Sequence, residues 1–404
     1  MSRVINNTFW LMLAQIGGLI IPLIELPILA RALGQQSYGQ VLYALSIALI
    51  ASVFIEFGFN FSAARNVVKY RDNKHKLSQL VSDVLLAKFL LGIFISIIVA
   101  ALILFQIGET VIPNEWFFWI LLSMFSFGFT PIWYYIGIEK LIIPALLDLT
   151  LRSLGVIFII IMISSPEDAF LVLVIQAIVG GLNTILPTLF MIRKTGCGHI
   201  NVKGAITVLR ESWELFLYKS SQSIMGSIAS TLLGIFGGSS MVGAFVPAEK
   251  LVRASSGLSA PLLNAFFPYL VRLHLESFRS AKKIVNLTVI TIFILTLIFS
   301  GAVTYLADWL VALVFGQGYH EAAELLKILI WILPLRICSM ALAILWFIVI
   351  GKENVASKVM ILNVVIICLL ASFLVPILGT LGMCIAFLAA EIVMFSILLF
   401  LFYR

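Results

Sequence analysis

The sequence predicts an all-α polytopic membrane protein with about twelve transmembrane helices, in two six-helix bundles around a central cavity. Composition is the first observation behind this prediction. Of the 404 residues 62% are hydrophobic and only 11% are charged, and the mean hydropathy is +1.14. A soluble domain carries roughly a quarter charged residues and cannot bury such an apolar excess, because much of its surface must face water. Lipid is therefore the solvent for most of the chain.

The second observation is a series of long apolar runs, each long enough for a hydrocarbon core of about 30 Å. They cover residues 8–30, 39–63, 80–105, 115–138, 142–163, 169–192, 213–237, 241–270, 284–306, 326–350, 358–377 and 382–403. Unbroken runs of this length are typical of helices rather than of barrel strands. The first run is too long for a cleaved signal peptide and is predicted to be a retained helix.

The third observation is the distribution of basic residues between the predicted loops. With the N-terminus inside, the inner segments hold eighteen lysines and arginines, and the outer segments hold only Arg31 and Lys327. The positive-inside rule then predicts that both termini lie in the cytoplasm. The net charge of +7 is thus mostly a topology signal. The basic residues form no folded soluble patch, so a nucleic-acid partner is not expected.

A weak internal repeat supports two equivalent halves. The segments 34–44 (GQQSYGQVLYA) and 238–248 (GSSMVGAFVPA) each begin with two glycines five residues apart, between equivalent predicted spans. Six spans per half give both halves the same orientation, an architecture typical of transporters with a substrate path between the halves. The predicted domains are an N-terminal bundle over 1–195, a cytoplasmic linker over 196–212 and a C-terminal bundle over 213–404.

Eleven charged residues lie within or near the predicted spans. Each would cost roughly 2.5–3.5 kcal/mol if it faced lipid, so they must face a wet interior or each other. The cations are predicted to contact an anionic substrate: Lys88, Arg152, Lys219, Lys250, Arg253 and Arg336. Three of the five acids, Glu25, Glu56 and Asp148, are the predicted proton- or ion-coupling groups. Glu249 and Glu391 complete the set.

Two pairs leave a structural alternative open. Asp148 and Arg152 are four residues apart, as are Glu249 and Arg253, which is the spacing of an intrahelical ion pair. Within such pairs the charges would neutralise each other and would take no part in substrate binding. Pro22 and Pro27 similarly predict either a fixed kink or a hinge in the first span.

The chain is predicted to use no cofactor and no metal. A phosphate-binding GxxxxGK[ST] loop is absent from the sequence, so a proton or sodium gradient is the expected energy source rather than ATP. Cys197 and His199 have no further ligand nearby in the sequence, and two ligands are too few for a metal site.

Three motifs carry a resemblance to a known family. They are PILARALG at 27–34, EFGFN at 56–60 and PIWYYIGIEK at 131–140. In order and placement they resemble the first outer turn, the second-helix motif and the fourth-helix signature of the bacterial O-antigen and polysaccharide flippases (Wzx-type). These proteins belong to the multidrug, oligosaccharidyl-lipid and polysaccharide exporter superfamily. Tyr135 and Ile136 stand where that family usually has a Phe-Gln pair.

The resemblance implies a transporter, not an enzyme. It implies that an undecaprenyl-pyrophosphate-linked oligosaccharide, the O-antigen repeat unit, is flipped from the cytoplasmic to the periplasmic leaflet by alternating access. Membrane lipid surrounds the chain, and polysaccharide-assembly proteins are candidate partners.

Two other functions remain open. A drug exporter of the same superfamily, which moves cations, should line its cavity with acidic residues. The predicted spans here contain six basic residues and only five acidic ones. A glycan polymerase or ligase needs a larger outer loop than residues 307–325. The flippase is therefore the favoured function.

Overall fold

The structure, a computed structural model, describes the backbone of residues 2–106, 108–257 and 259–404. Side chains are described within these ranges except at 2–16, 19, 214, 217–219, 221–223, 260 and 264. Every regular element in this part of the chain is helical, which confirms the all-α prediction. The longer helices are α1 (Ser2–Glu56), α2 (Phe59–Tyr70), α3 (Lys74–Leu104), α4 (Phe117–Gly128), α5 (Ile132–Gly137), α6 (Ile142–Met162), α7 (Ala169–Thr195), α8 (Val202–Ile224), α9 (Ile228–Phe236), α10 (Gly238–Gly257), α11 (Ser259–Glu276), α12 (Phe278–Phe315), α13 (His320–Leu329), α14 (Ile332–Leu342), α15 (Glu353–Leu378) and α16 (Thr380–Tyr403). Short 3₁₀ turns occupy Asn114–Trp116 and Pro166–Asp168, and a π-helical stretch covers Ala343–Ile348.

The predicted count of twelve spans is not confirmed, although the polytopic membrane character is. Among the described residues, eight helical segments are long and apolar enough to cross a membrane, and a bent pair, α13 with residues 332–348, gives a ninth. The first two predicted spans form one continuous segment in this count. The predicted spans 213–237 and 241–270 are divided among α8, α9, α10 and α11, none of which is among the membrane-crossing helices found in the described residues.

The chain divides into two compact units, residues 1–231 and 232–404. In the first unit, α1 packs against α3, α4, α6 and α7. Helix α1 is interrupted at Gly34, where φ is +71° and ψ is 171°, a conformation that L-residues with a side chain rarely adopt. Pro22 and Pro27 both lie inside helical backbone, so Gly34 is the only break that the structure records in α1.

A second break separates α1 from α2 inside the EFGFN motif. Phe57 and Gly58 have φ values of +45° and +74°, and they turn the chain where the sequence predicted a continuous span. A Cβ on Gly58 would lie 2.8 Å from the Phe216 main-chain nitrogen, so glycine permits α8 to approach the turn. The Phe57 and Phe216 rings stack with their centroids 4.4 Å apart.

The segment that precedes α8 is attached to α3. The Gln79 amide donates to the main-chain oxygen of His199 and accepts from the His199 N–H at 2.9 and 3.1 Å. The Gly198 N–H donates to the Ser82 hydroxyl at 2.8 Å. Residues 198–199 of the predicted linker are therefore held by the first unit rather than free in solution.

The second unit contains helices α10–α16. Its core joins α11, α12, α14, the π-helical stretch, α15 and α16, with Trp346 and Phe402 in edge-to-face contact at 5.1 Å. Helices α15 and α16 form a tight hairpin that turns at Gly379. Gly382 lies against the Leu374 main-chain carbonyl, where a Cβ would clash, and this close approach brings the two helices together.

Candidate functional site

A polar cluster occupies the membrane-spanning part of the first unit, where α1, α6 and α7 meet. The Gln176 amide on α7 donates to Glu25 Oε1 on α1 at 2.5 Å. Two turns further along α7, the Asn183 amide donates to Asp148 Oδ1 on α6, also at 2.5 Å. Seven residues of helix put these two amides roughly 10 Å apart on one face. One side of α7 thus supplies an amide donor to two of the predicted coupling carboxylates.

Arg152 completes this cluster at its centre. Its Nε atom donates to Asp148 Oδ1 at 2.7 Å, which confirms the predicted intrahelical ion pair. Arg152 is ten residues from each end of α6, or about 15 Å along the helix axis. The side chains of Arg152 and Asp148 are 47% and 31% exposed. A charged group that is this open at mid-helix must face water or a polar ligand, because lipid would not solvate it.

The ion pair gives a first testable prediction. Asp148→Asn and Arg152→Gln each leave one charge of the pair without its partner, whereas the double variant removes both charges. The two single variants should therefore lower protein level and thermal stability more than the double variant does. The coupling energy of a double-mutant cycle should be roughly 0.5–3 kcal/mol, measured by thermal unfolding of the purified variants. If the stability loss of the double variant equals the sum of the losses in the two single variants, Asp148 and Arg152 act independently.

The sequence predicts Lys88 as a substrate contact, whereas in the structure its ammonium group is bound to the protein backbone. Its side chain is fully buried, and Nζ donates to the main-chain oxygens of Gly128 and Thr130 at 2.9 and 3.1 Å. Gly128 is the last residue of α4, and Thr130 lies in the break between α4 and α5. An ammonium group stabilises the negative end of a helix dipole, so Lys88 caps α4 and is enclosed in this structure.

Glu56, the third predicted coupling carboxylate, ends α1 beside this region. Its Oε1 accepts a bond from the Asn60 main-chain N–H at 3.3 Å, across the turn between α1 and α2. It is half-buried and lies within electrostatic range of the Lys88 ammonium. Glu56 and Lys88 therefore belong to one local charge arrangement, separate from the hydrogen bonds of Asp148.

The second unit contains two further ion pairs. Arg253 pairs with Glu249 within α10, which confirms the second predicted intrahelical pair. Arg336 on α14 donates from Nε to Glu391 Oε1 on α16 at 2.8 Å, and Glu391 is fully buried. The pairing of Arg336 with Glu391 joins two helices 55 residues apart in sequence. Residue spacing within one helix could not reveal it.

The remaining predicted cations are only partly described. Lys250 is half-buried on α10, next to Glu249. The Lys219 side chain lies outside the described side chains, although its backbone belongs to α8. Lys219 falls in the first unit, while Lys250, Arg253 and Arg336 fall in the second.

Sequence reasoning missed the two amides of α7 and the partner of Arg336. Gln176 and Asn183 lie seven residues apart within an otherwise apolar predicted span, a spacing that puts both on one helix face. That signal was present in the sequence. Glu391 was noted as a span charge, but nothing in a single sequence connects it with Arg336.

A cavity of about 280 Å³ lies between α4 and α7 of the first unit. Its walls are mostly apolar side chains, with three hydroxyl-bearing residues among them: Leu122, Phe125, Ser126, Phe129, Gly181, Thr184, Ile185, Thr188 and Leu189. None of the predicted charged residues lines it. The polar cluster of α1, α6 and α7 is therefore the candidate site for a hydrophilic ligand in this unit.

Residues 4–274 match a family model described as polysaccharide biosynthesis protein. A protein of Shigella dysenteriae whose name assigns it to O-antigen transport is 25% identical over 393 residues, covering 96% of this chain and 97% of the relative. A protein of Escherichia coli (strain K12) with the same name is 24% identical over 336 residues, covering 80% of this chain and 78% of the relative.

Two solved structures share the fold. The lipid II flippase MurJ, in an inward closed conformation, has a TM-score of 0.74 at 14% identity and covers 98% of this chain and 87% of its own. An inward-facing multidrug resistance MATE family transporter of the MOP superfamily has a TM-score of 0.69 at 18% identity, with coverage of 95% and 94%. At these identities the likeness concerns the fold alone.

Proposed function

Because the chain belongs to the polysaccharide biosynthesis protein family, we propose that it carries a lipid-linked oligosaccharide across the bacterial inner membrane. The observation that carries this proposal is the similarity, along 96% of the chain, to a relative named for O-antigen transport. The relatives are named as transporters, in agreement with the transporter that the sequence resemblance implies. The membrane-spanning helices and the polar cluster at mid-helix fit such a carrier.

The finer proposal concerns substrate and direction. The cargo is an undecaprenyl-pyrophosphate-linked repeat unit, which moves from the cytoplasmic to the periplasmic leaflet. Alternating access involves bundles 1–195 and 213–404, joined by the 196–212 linker, with both termini in the cytoplasm. The internal repeat and the eighteen-to-two distribution of basic residues support this arrangement. A proton or sodium gradient drives the cycle, and polysaccharide-assembly proteins receive the product.

The residue roles follow from charge and access. Lys219, Lys250 and Arg253 are proposed to attract the pyrophosphate, and Arg152 to contact the substrate from the first unit. Lys88 and Arg336 complete the proposed set, but a substrate would first have to displace the Gly128 and Thr130 carbonyls or Glu391. Glu25, Glu56 and Asp148 are the proposed coupling carboxylates.

Deletion of the gene tests the function. We expect surface polysaccharide to be lost and the lipid-linked glycan to accumulate on the cytoplasmic face, with both effects reversed by the wild-type gene. The measurements are a gel of the surface polysaccharide and mass spectrometry of extracted lipids. An unchanged surface polysaccharide together with increased sensitivity to cationic dyes would instead favour the drug exporter.

Charge substitution at Lys250 tests the proposed pyrophosphate contact. Export should survive Lys250→Arg, weaken with Lys250→Ala and be lost with Lys250→Glu, because an anionic cargo is repelled by a carboxylate. Protein level should remain unchanged, and the measurement is surface polysaccharide per unit of transporter. Lys203→Glu, at an exposed position in the first turn of α8, is the matched control. Full export by Lys250→Glu would contradict the proposed contact.

A further inference from the structure

We propose that Asp148, Arg152 and Asn183 form a subsite for the sugar hydroxyl groups of the cargo, and not for its pyrophosphate. This inference rests on the proposed function and names the part of the substrate that the cluster contacts. It assigns Asn183 a role in substrate binding.

The free hydrogen-bonding atoms of the three side chains are the first argument. Asp148 Oδ1 accepts from both Asn183 Nδ2 and Arg152 Nε. Among the described residues, none bonds to Asp148 Oδ2, to the two terminal nitrogens of Arg152 or to Asn183 Oδ1. The cluster therefore presents donors and acceptors together. A sugar hydroxyl is itself both donor and acceptor, whereas a pyrophosphate only accepts.

Net charge is the second argument. Asp148 and Arg152 neutralise each other at 2.7 Å, so the subsite as a whole carries no net charge. A pyrophosphate bound to the Arg152 terminal nitrogens would also approach the Asp148 carboxylate, and the two anions would repel each other. A neutral polyol experiences no such repulsion. The local charge therefore selects the uncharged part of a lipid-linked glycan.

Depth and rigidity are the third argument. Arg152 lies at the centre of α6, and substrate sites of transporters lie near the bilayer midplane. The supporting helices are tightly packed: Gly17 on α1 lies against Leu149, and a Cβ on Gly155 would be 3.0 Å from the Val179 side chain on α7. Such packing holds the bonding atoms in place before a ligand arrives.

The assignment changes the expected role of Asp148. As an acceptor held by an amide and a guanidinium, Asp148 serves ligand binding. Glu25 and Glu56 then remain as the coupling carboxylates. Glu25 already receives the Gln176 amide, about two helical turns from the subsite.

Binding measurements on the full chain in nanodiscs test the subsite. The probes are the repeat-unit oligosaccharide released by mild acid from the host surface polysaccharide, and inorganic pyrophosphate. Asn183→Leu and Arg152→Lys should each weaken oligosaccharide binding at least tenfold, because each removes bonding atoms while Arg152→Lys preserves the positive charge. Pyrophosphate binding should remain unchanged in both variants. Isothermal titration calorimetry measures both affinities.

Asn66→Leu is the matched control, because Asn66 also donates from its amide to a carboxylate, that of Glu211 at 3.0 Å, but on an exposed surface of the same unit. It should bind both probes like the wild type. If Asn183→Leu proves less stable than this control, Arg152→Lys alone carries the test.

Three outcomes overturn the inference: no oligosaccharide binding by the wild type, unchanged oligosaccharide binding by Arg152→Lys, or a selective loss of pyrophosphate binding by Arg152→Lys. The gene deletion reports on the proposed function separately. A deletion that accumulates lipid-linked glycan, combined with normal binding by Arg152→Lys, would refute only the subsite. A deletion without effect on surface polysaccharide would refute the transport function itself.

Discussion

Replacement of Glu391 by glutamine should cost about 3–5 kcal/mol of stability, because it leaves the Arg336 guanidinium without its counter-charge in a buried site. Glu391 is fully buried and Arg336 is only 16% exposed, so water cannot compensate for the lost partner. Arg336→Met should be at least as damaging, since it leaves the carboxylate of Glu391 alone. The double variant Arg336→Met with Glu391→Gln should regain much of the loss, because no uncompensated charge remains.

Thermal unfolding of the purified full chain measures these effects. The Lys327–Glu324 pair on α13 is the matched control, with the Glu324 side chain 69% exposed. Breaking that exposed pair by Glu324→Gln should change stability by less than about 1 kcal/mol. A Glu391→Gln variant that unfolds like the Glu324→Gln control would show that the pair does not stabilise the α14–α16 contact. A double variant worse than both singles would show that the pair also orders neighbouring groups.

Lys88→Met should cost about 3 kcal/mol, since two hydrogen bonds from a charged donor are lost and the end of α4 loses its cap. Methionine keeps the length and apolar stem of the side chain, so the effect isolates the ammonium group. Protein level in the membrane and thermal unfolding are the measurements. Lys69→Met, at an exposed lysine near the end of α2, should be almost neutral.

The Lys88 experiment also separates two roles. Loss of stability would identify Lys88 as the cap that maintains the break between α4 and α5, in the segment of the PIWYYIGIEK motif. Normal stability combined with lost export would instead support the substrate contact predicted from the sequence. The two outcomes differ because only a structural role depends on the Gly128 and Thr130 carbonyls.

Ion pairing changes how the span charges bear on the substrate. The surplus of six cations over five acids favoured an anionic cargo. In the structure Arg152, Arg253 and Arg336 each have a carboxylate partner, and Lys88 is bound to main-chain carbonyls. The surplus of basic residues in the predicted spans therefore supports a pyrophosphate-bearing cargo less than the sequence alone indicated. The similarity to relatives named for O-antigen transport now carries most of the proposal of a lipid-linked glycan.

Local properties of the chain were sufficient to predict the class of fold and much of the chemistry. Hydropathy and length predict membrane helices because the cost of exposing a polar backbone to lipid leaves few other structures. Spacing of four residues predicted the Asp148–Arg152 and Glu249–Arg253 pairs, because an α-helix brings such positions together. Both ion-pair predictions depend only on contacts within a single helix, and the structure confirms them.

The contacts between helices could be identified only from the tertiary structure. The pairing of Arg336 with Glu391 and the capping of α4 by Lys88 depend on how separate helices pack, which one sequence does not encode in any short pattern. The same is true of Asn183 and Asp148, 35 residues apart. A charge in a predicted span must be neutralised or solvated, but several partners would satisfy that requirement equally well. Packing of the helices selects among them, and so decides which charges stay available to a substrate.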